Sequence, residues 1–395
     1  MPPLPRATPS SSEINLLDGG EQAAPHADLG NPVLRGAFLL DELTHSVACM
    51  SLFKHDVWVG TADGVVVVYD ARHVAGANEE TQTPKFSFKA HALGVIEISE
   101  VSGKVWTASK DNTIGVWTKT GKHVAKLERH KAHVTALLYL PELKLVWSAS
   151  ADMSLCVWDT KTYKCDKEIR TDNYMLCLCE HKQRVWVGTE SVIVVYNVEN
   201  QKRDRIIKQH TKFVHRIVSV GERVWSCSSD CTIVVWDSDG TAVQRIVQPT
   251  KVLSLLPMPR HVWAGTRDGS LALFDIDTFE QVHRMPEVHT NAVTALTGAV
   301  ITSGASVWSA SWDRTIMVFE TTYERVKLAP AVRVGGGGVV DRPKICQLCN
   351  TGIVVARMVD KGREVWLCKR CSEKQQEEQH RRASSRNVTA GLSMS

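Results

Sequence analysis

Nowhere in this 395-residue chain do the roughly 18 consecutive apolar residues of a membrane-spanning helix occur. Nor does the chain open on a charged-then-apolar leader pattern. Both absences point to a soluble protein of the cytosol, with the nucleus as a second compartment, and not to membrane insertion. A strong excess of either charge is also missing: 47 Lys and Arg stand against 43 Asp and Glu, a net +4. The excess is local. From Asp341 onward there are 11 Lys/Arg and 6 Asp/Glu, a local +5 that leaves −1 for the preceding 340 residues. A body so close to neutral does not bind nucleic acid by charge. Cysteines at a disulfide-framework spacing are missing from the first 340 residues, where Cys49, Cys156, Cys165, Cys177, Cys179, Cys227 and Cys231 are scattered. These read as reduced, mostly buried thiols. Phe and Tyr are scarce, at 8 and 6, yet Trp reaches 12.

The tryptophans carry the main signal. Seven times the chain reads Val-Trp, one further residue, a small residue and a hydroxyl. The phrase begins as Val57-Trp58-Val59-Gly60-Thr61 and returns at 105–109, 146–150, 185–189, 224–228, 262–266 and 307–311. Successive tryptophans lie 48, 41, 39, 39, 38 and 45 residues apart. A repeat near 40 residues is one supersecondary unit that cannot bury its own faces and must stack on its copies. Within one unit, His130 to His133 leads into Val134–Leu138, then Leu145–Ser150, Ser154–Asp159 and Lys164–Ile169. Each run is short, rich in β-branched residues and bounded by turn residues, which predicts strands. Four strands per unit, repeated seven times, predict an all-β, seven-bladed β-propeller over 34–333. Residues two apart on a strand share a face, so each Trp lies beside a Gly, Ala or Cys. A large side chain next to a minimal one fills the space between sheets without overpacking.

A second signature follows the phrase: Ser109-Lys110-Asp111 with Trp117, Ser150-Ala151-Asp152 with Trp158, Ser228-Ser229-Asp230 with Trp236, and Ser311-Trp312-Asp313 with Phe319. His91, His130, His210 and His289 each stand four residues before a Val. Together these residues resemble the WD-repeat family over about three quarters of the chain. The resemblance implies a buried network in each such blade: His91, Ser109, Asp111 and Trp117; His130, Ser150, Asp152 and Trp158; His210, Ser228, Asp230 and Trp236. A Ser-His-Asp set invites a protease reading, but catalysis needs one copy and an oxyanion hole, whereas recurrence argues for structure. Blades four and six depart from the pattern, with Thr171 and Gln248 at the histidine position, and are expected to be less rigid. The Val-Trp phrasing is also similar to propellers attached to inositol polyphosphate 5-phosphatases and some Rho exchange factors, which implies a signalling context.

Residues 1–33, rich in Pro, Ser, Ala and Gly, predict disorder. A Gly-rich linker at 334–342 precedes a module at 343–374 with two cysteine pairs, Cys346/Cys349 and Cys368/Cys371. A two-residue gap lets one turn present two thiolates, and four thiolates make a closed tetrahedral shell. One structural zinc ion in a small knuckle or ribbon is the expectation, its binding energy replacing a core too small to fold alone. The spacing is similar to GATA-type fingers, but Thr351 to Arg357 replaces their aromatic-basic segment. A charged tail, 375–395, completes the chain.

These observations predict a non-catalytic scaffold or adaptor that recruits proteins on one propeller face, with the zinc module as a second binding element and no small-molecule substrate. The alternatives are a ubiquitin-machinery adaptor, or a nucleic-acid or chromatin reader working through the basic tail. The residue before each turn aspartate projects from the expected face, which nominates Lys110, Arg267 and Trp312. Tyr174, Phe213 and Lys251 occupy the loops entering the first strands. Aromatic residues and Arg are frequent interface anchors.

Overall fold

Branched side chains fit a pleated, half-buried surface, and each repeat supplies them strand after strand. The computed structural model describes residues 33–39, 45–71, 84–301, 304–322, 356–360 and 363–367. The 334–342 linker and the 375–395 tail lie outside the described residues. Strand β1 (Val33–Leu39) comes first in the chain. Blade one is β2 (Val47–Phe53), β3 (Asp56–Thr61), β4 (Val65–Asp70) and β5 (Phe86–Lys89). Blade two is β6 (Val95–Val101), β7 (Lys104–Ser109), β8 (Ile114–Trp117) and β9 (His123–Leu127). Blade three is β10 (Val134–Leu140), β11 (Leu145–Ser150), β12 (Ser154–Asp159) and β13 (Cys165–Arg170). Blade four is β14 (Met175–His181), β15 (Arg184–Thr189), β16 (Ile193–Asn197) and β17 (Arg203–Ile207). Blade five is β18 (Val214–Val220), β19 (Arg223–Ser228), β20 (Thr232–Trp236) and β21 (Ala242–Val247). Blade six is β22 (Val252–Pro257), β23 (His261–Thr266), β24 (Leu271–Asp275) and β25 (Gln281–Met285). Blade seven joins β26 (Val293–Ile301), β27 (Gly304–Ser311) and β28 (Thr315–Thr322) to β1, which pairs antiparallel with β28. The fold is therefore an all-β, seven-bladed propeller whose last sheet is completed by the N-terminal strand.

Burial falls from the first strand of a blade to the fourth. Strands β10 and β18 are buried at all but one position, whereas every residue of β21 is exposed or half-buried. Each first strand also shifts register between its first and third residues, for example between Val95 and Glu97 and between Val214 and Arg216. A bulge increases local twist, and here it recurs in all seven blades.

The core lies between blades. Seven apolar clusters each straddle one pair of neighbouring sheets. Each holds the phrase Trp of one blade together with the third-strand aromatic of the next: Trp58 and Trp117, Trp106 and Trp158, Trp147 and Tyr196, Trp186 and Trp236. The series continues with Trp225 and Phe274, Trp263 and Phe319, and Trp308 and Tyr69. All seven phrase indoles are at most 2% exposed. The small residue two positions on has a different reason from sharing a face with the indole. A Cβ on Gly60 would sit 2.5 Å from Cys49 Sγ and 2.9 Å from Val95 of the next blade. Gly188 meets Cys177 and Val214 in the same way. The small side chain makes room where neighbouring first strands converge, and the indole fills the wedge farther out.

The remainder, 326–395, forms a separate compact unit. Its described part is a hairpin of β29 (Ala356–Asp360) and β30 (Arg363–Leu367), with Ala356 opposite Leu367.

Candidate functional site

The loops that enter the first strands and the turns that leave the second strands lie together on one face, because backbone bonds tie them. Lys110 N–H donates to Gly94 O at 2.9 Å, Ser229 N–H to Phe213 O at 2.9 Å, Arg267 N–H to Lys251 O at 2.9 Å and Trp312 N–H to Ala292 O at 3.1 Å. Below these turns sit the polar locks. In blade five, Trp236 Nε1–H donates to Ser226 Oγ at 2.8 Å, and His210 Nε2 lies 2.8 Å from the same oxygen. His210 Nδ1 lies 2.9 Å from Asp230, which also accepts from Thr211 N–H and from the Thr232 hydroxyl. Indole N–H is only a donor, so the Ser226 proton goes to His210 Nε2, and Nδ1–H donates to Asp230. Blade two repeats this with His91, Thr107, Asp111 and Trp117, and blade three with His130, Ser148, Asp152 and Trp158. Blade seven keeps His289, Ser309 and Asp313 with Phe319 in place of the indole.

The hydroxyl in each lock differs from the expected one. Ser109, Ser150 and Ser228 do not bind the ring; their hydroxyls donate to loop carbonyls, such as Gly94, Ala132 and Lys212, and accept the N–H of the turn aspartate. The partner lies two residues earlier, because His and Trp approach the second strand one pleat farther along the same face. Burial pushes the carboxyls of Asp111, Asp152 and Asp230 up, but donated hydrogen bonds from the histidines and neighbouring hydroxyls outweigh it and leave all three below their ordinary values. Among the described residues, blades four and six carry no such chain. Thr171 donates to Met153 O and Gln248 to Val247 O.

Of the six nominated face residues, Lys110, Phe213 and Trp312 stand on blades with a lock, and Tyr174, Lys251 and Arg267 on blades without one. Arg267 is exposed, and its Cζ lies 5.7 Å from the centre of the half-buried Trp312 ring, so blades six and seven share a cation–π contact. Lys251 is bonded to Arg267 through the backbone, so Lys251, Arg267 and Trp312 form one patch. Beneath it the buried His215 bonds Ser229 at 2.6 Å; burial first and then the Lys251 charge lower His215 to about 3. Phe213 belongs to blade five and Tyr174 to blade four, both half-buried. Burial, reinforced by Glu190, raises the Tyr174 phenol. Lys110 stands on blade two, away from the patch, where its charge adds to burial in lowering His133.

One buried pair was not anticipated. Glu97 on β6 and Arg216 on β18 meet at 3.4 Å, their side chains 1% and 4% exposed. Blades two and five stand three apart in a ring of seven, so this pair bridges the centre. Glu97 also accepts Leu137 N–H from blade three at 2.5 Å. The signal was available, because Glu97 and Arg216 hold the bulge-flanking position where other blades have Cys49, Ala136, Cys177, Ser254 and Ala295.

With this geometry in hand, similarity to known proteins can be placed. A family model described as "WD domain, G-beta repeat" matches residues 121–159, which run from the last strand of blade two to the end of β12. The chain is 27% identical to an uncharacterized WD repeat-containing protein of Schizosaccharomyces pombe, across 75% of this chain and 84% of that protein. These matches support a WD-repeat propeller. A p21-activated protein kinase-interacting protein 1-like of Danio rerio is 25% identical over 66% of this chain and 72% of its own length. A probable serine/threonine-protein kinase, pats1 of Dictyostelium discoideum, is 25% identical over 38% of this chain, which spans only 6% of that kinase. Cys346, Cys349, Cys368 and Cys371 lie outside the described residues.

Proposed function

We propose that this chain is a non-catalytic scaffold whose propeller docks partner proteins on the face bearing Trp312, Arg267 and Lys251. WD-repeat propellers generally act as interaction platforms, and one relative is named as a kinase-interacting protein. The observation that carries the reading is the Arg267–Trp312 stack. A guanidinium held over an indole at a blade junction offers a flat apolar surface and directed donors together. With Lys251 alongside, the patch suits a partner segment that presents a carboxylate next to an apolar side chain. Quantitative affinity purification should show Trp312→Ala and Arg267→Glu losing a shared subset of partners at least tenfold while the melting midpoint holds. A partner set unchanged in both variants would refute the docking role.

The second binding element in this reading is a single structural zinc held by Cys346, Cys349, Cys368 and Cys371. Hairpin β29–β30 supports it, since it separates the two pairs in the chain and its strand β30 ends directly before Cys368. Metal analysis of purified protein is expected to find one zinc per chain and its loss in Cys368→Ser, with propeller melting unaltered. Equal zinc in that variant would remove this element from the proposal.

A further inference from the structure

The turns from first to second strands and from third to fourth strands lie on the face opposite the docking patch, because antiparallel neighbours reverse at each turn. The third-to-fourth loops of blades two to six span 118–122, 160–164, 198–202, 237–241 and 276–280. In blade seven the fourth strand comes from the start of the chain, and most of blade one's loop lies outside the described residues.

Charge is sorted around these loops. Exposed Lys122 stands on blade two, and exposed Lys161 and Lys164 stand on blade three. The blade-four loop carries Glu199 with Lys202 and is neutral. Blade five has exposed Asp239, and blade six has exposed Asp277 and Glu280. Other charges at the loops are turned inward. Lys119 bonds Glu100, while Asp159, Asp237 and Asp275 each accept two N–H groups of their own loop. Nearer the axis the turns are mixed, with Glu142 beside Lys144, Lys182 bonded to Glu222, and Arg260. The basic half is one continuous surface. Lys104 of blade two lies over the Tyr163 ring of blade three at 5.6 Å, and the Ser102 and Tyr139 hydroxyls are 2.8 Å apart.

This polarity selects the partner. A uniformly anionic surface would be attracted to blades two and three and repelled from blades five and six. A polycation would meet the reverse. A second copy turned over about a two-fold axis through blade four matches both halves at once. It sets blade three against blade five and blade two against blade six, twice over. We propose that this face pairs with a second copy of the chain in a two-fold, back-to-back dimer. The contact is isologous, so three lysines of each copy face three carboxylates of the other. Exposed ion pairs are individually weak and screened by salt, so the dimer is reversible and salt-sensitive. Its sorted charges set register more than affinity. The two docking faces then point away from each other, and a partner with two copies of a motif would meet a bivalent scaffold. Only this last consequence rests on the docking reading.

Sedimentation velocity of the full chain tests the dimer. In about 0.05 M salt the chain should show a monomer–dimer equilibrium, and about 0.5 M salt should weaken it by about tenfold or more. Two triple variants separate the halves: Lys122→Glu/Lys161→Glu/Lys164→Glu, and Asp239→Lys/Asp277→Lys/Glu280→Lys. Each should be monomeric at low salt with the wild-type melting midpoint, because like charges then face each other in both halves. An equimolar mixture of the two should dimerise again, since each supplies the sign that the other lacks. A wild-type monomer at low salt, undiminished dimers in both variants, or a mixture that stays monomeric would each overturn the proposal. So would a wild-type monomer that binds anionic vesicles through the three lysines, which would assign the basic half to a membrane. Should a variant not fold, the salt dependence of the wild type decides alone.

Discussion

Thr107, Ser148 and Ser226 each take an indole N–H and give a proton to an imidazole, and Ser309 serves His289 alone. These four occupy the middle of the Val-Trp phrase, the position read from sequence as unrestricted. It is not unrestricted. The blades with His91, His130, His210 and His289 carry a hydroxyl there, and the other three carry Val59, Val187 and Ala264. That covariation was legible in the sequence; the choice of the serine two residues later followed the family resemblance instead. The difference is measurable. Ser226→Ala orphans both Trp236 Nε1 and His210 Nε2 in a buried site, and should cost about 2–3 kcal/mol in urea denaturation. Ser228→Ala, whose hydroxyl bonds loop backbone nearer the face, should cost about 1 kcal/mol. The reverse order would mean that the lock is assigned to the wrong hydroxyl.

At the scale of the element, the first strands decide the interior. Their bulges recur, yet their side chains at one shared position are small except for Glu97 and Arg216. Burial holds Glu97 protonated up to about 7, with Arg216 and the Leu137 N–H pulling the other way. Its ordinary value is 4.5. Between those values the folded chain binds more protons than the unfolded one, so this group's contribution falls as pH rises and levels off above about 7. The window amounts to about 3 kcal/mol. His181 and His215 are lowered by burial and act with the opposite sign below neutrality, so the informative quantity is a difference. Glu97→Gln should gain stability relative to wild type between pH 5 and pH 8, as read by denaturation midpoints. A constant offset across that range would show that Glu97 does not titrate there. Arg216→Leu should destabilise most at high pH, where the buried carboxylate is left without its partner.

For the whole molecule, ring closure rests on β1 pairing with β28, residues from opposite ends of the propeller. Removing residues 1–39 exposes the β28 edge, and an unpaired edge invites association. The truncated protein should melt at lower temperature and self-associate, whereas removing residues 1–30 should leave the midpoint in place. Equal midpoints for both truncations would assign closure elsewhere. The sequence alone offers two candidates for the closing strand, Arg35–Leu40 and Arg325–Ala331, and the second lies outside the described residues. By itself the sequence determined the number of blades, the four strands in each and the seven indoles that fill the wedges. Those features are local and periodic, written by alternation along a strand and by return near every 40 residues. Only the tertiary structure decided which hydroxyl each imidazole meets, which strand seals the last blade, and that Glu97 finds Arg216 at a separation of 119 residues. Such contacts arise when the ring closes and distant side chains converge on its centre, a geometry that no single repeat contains.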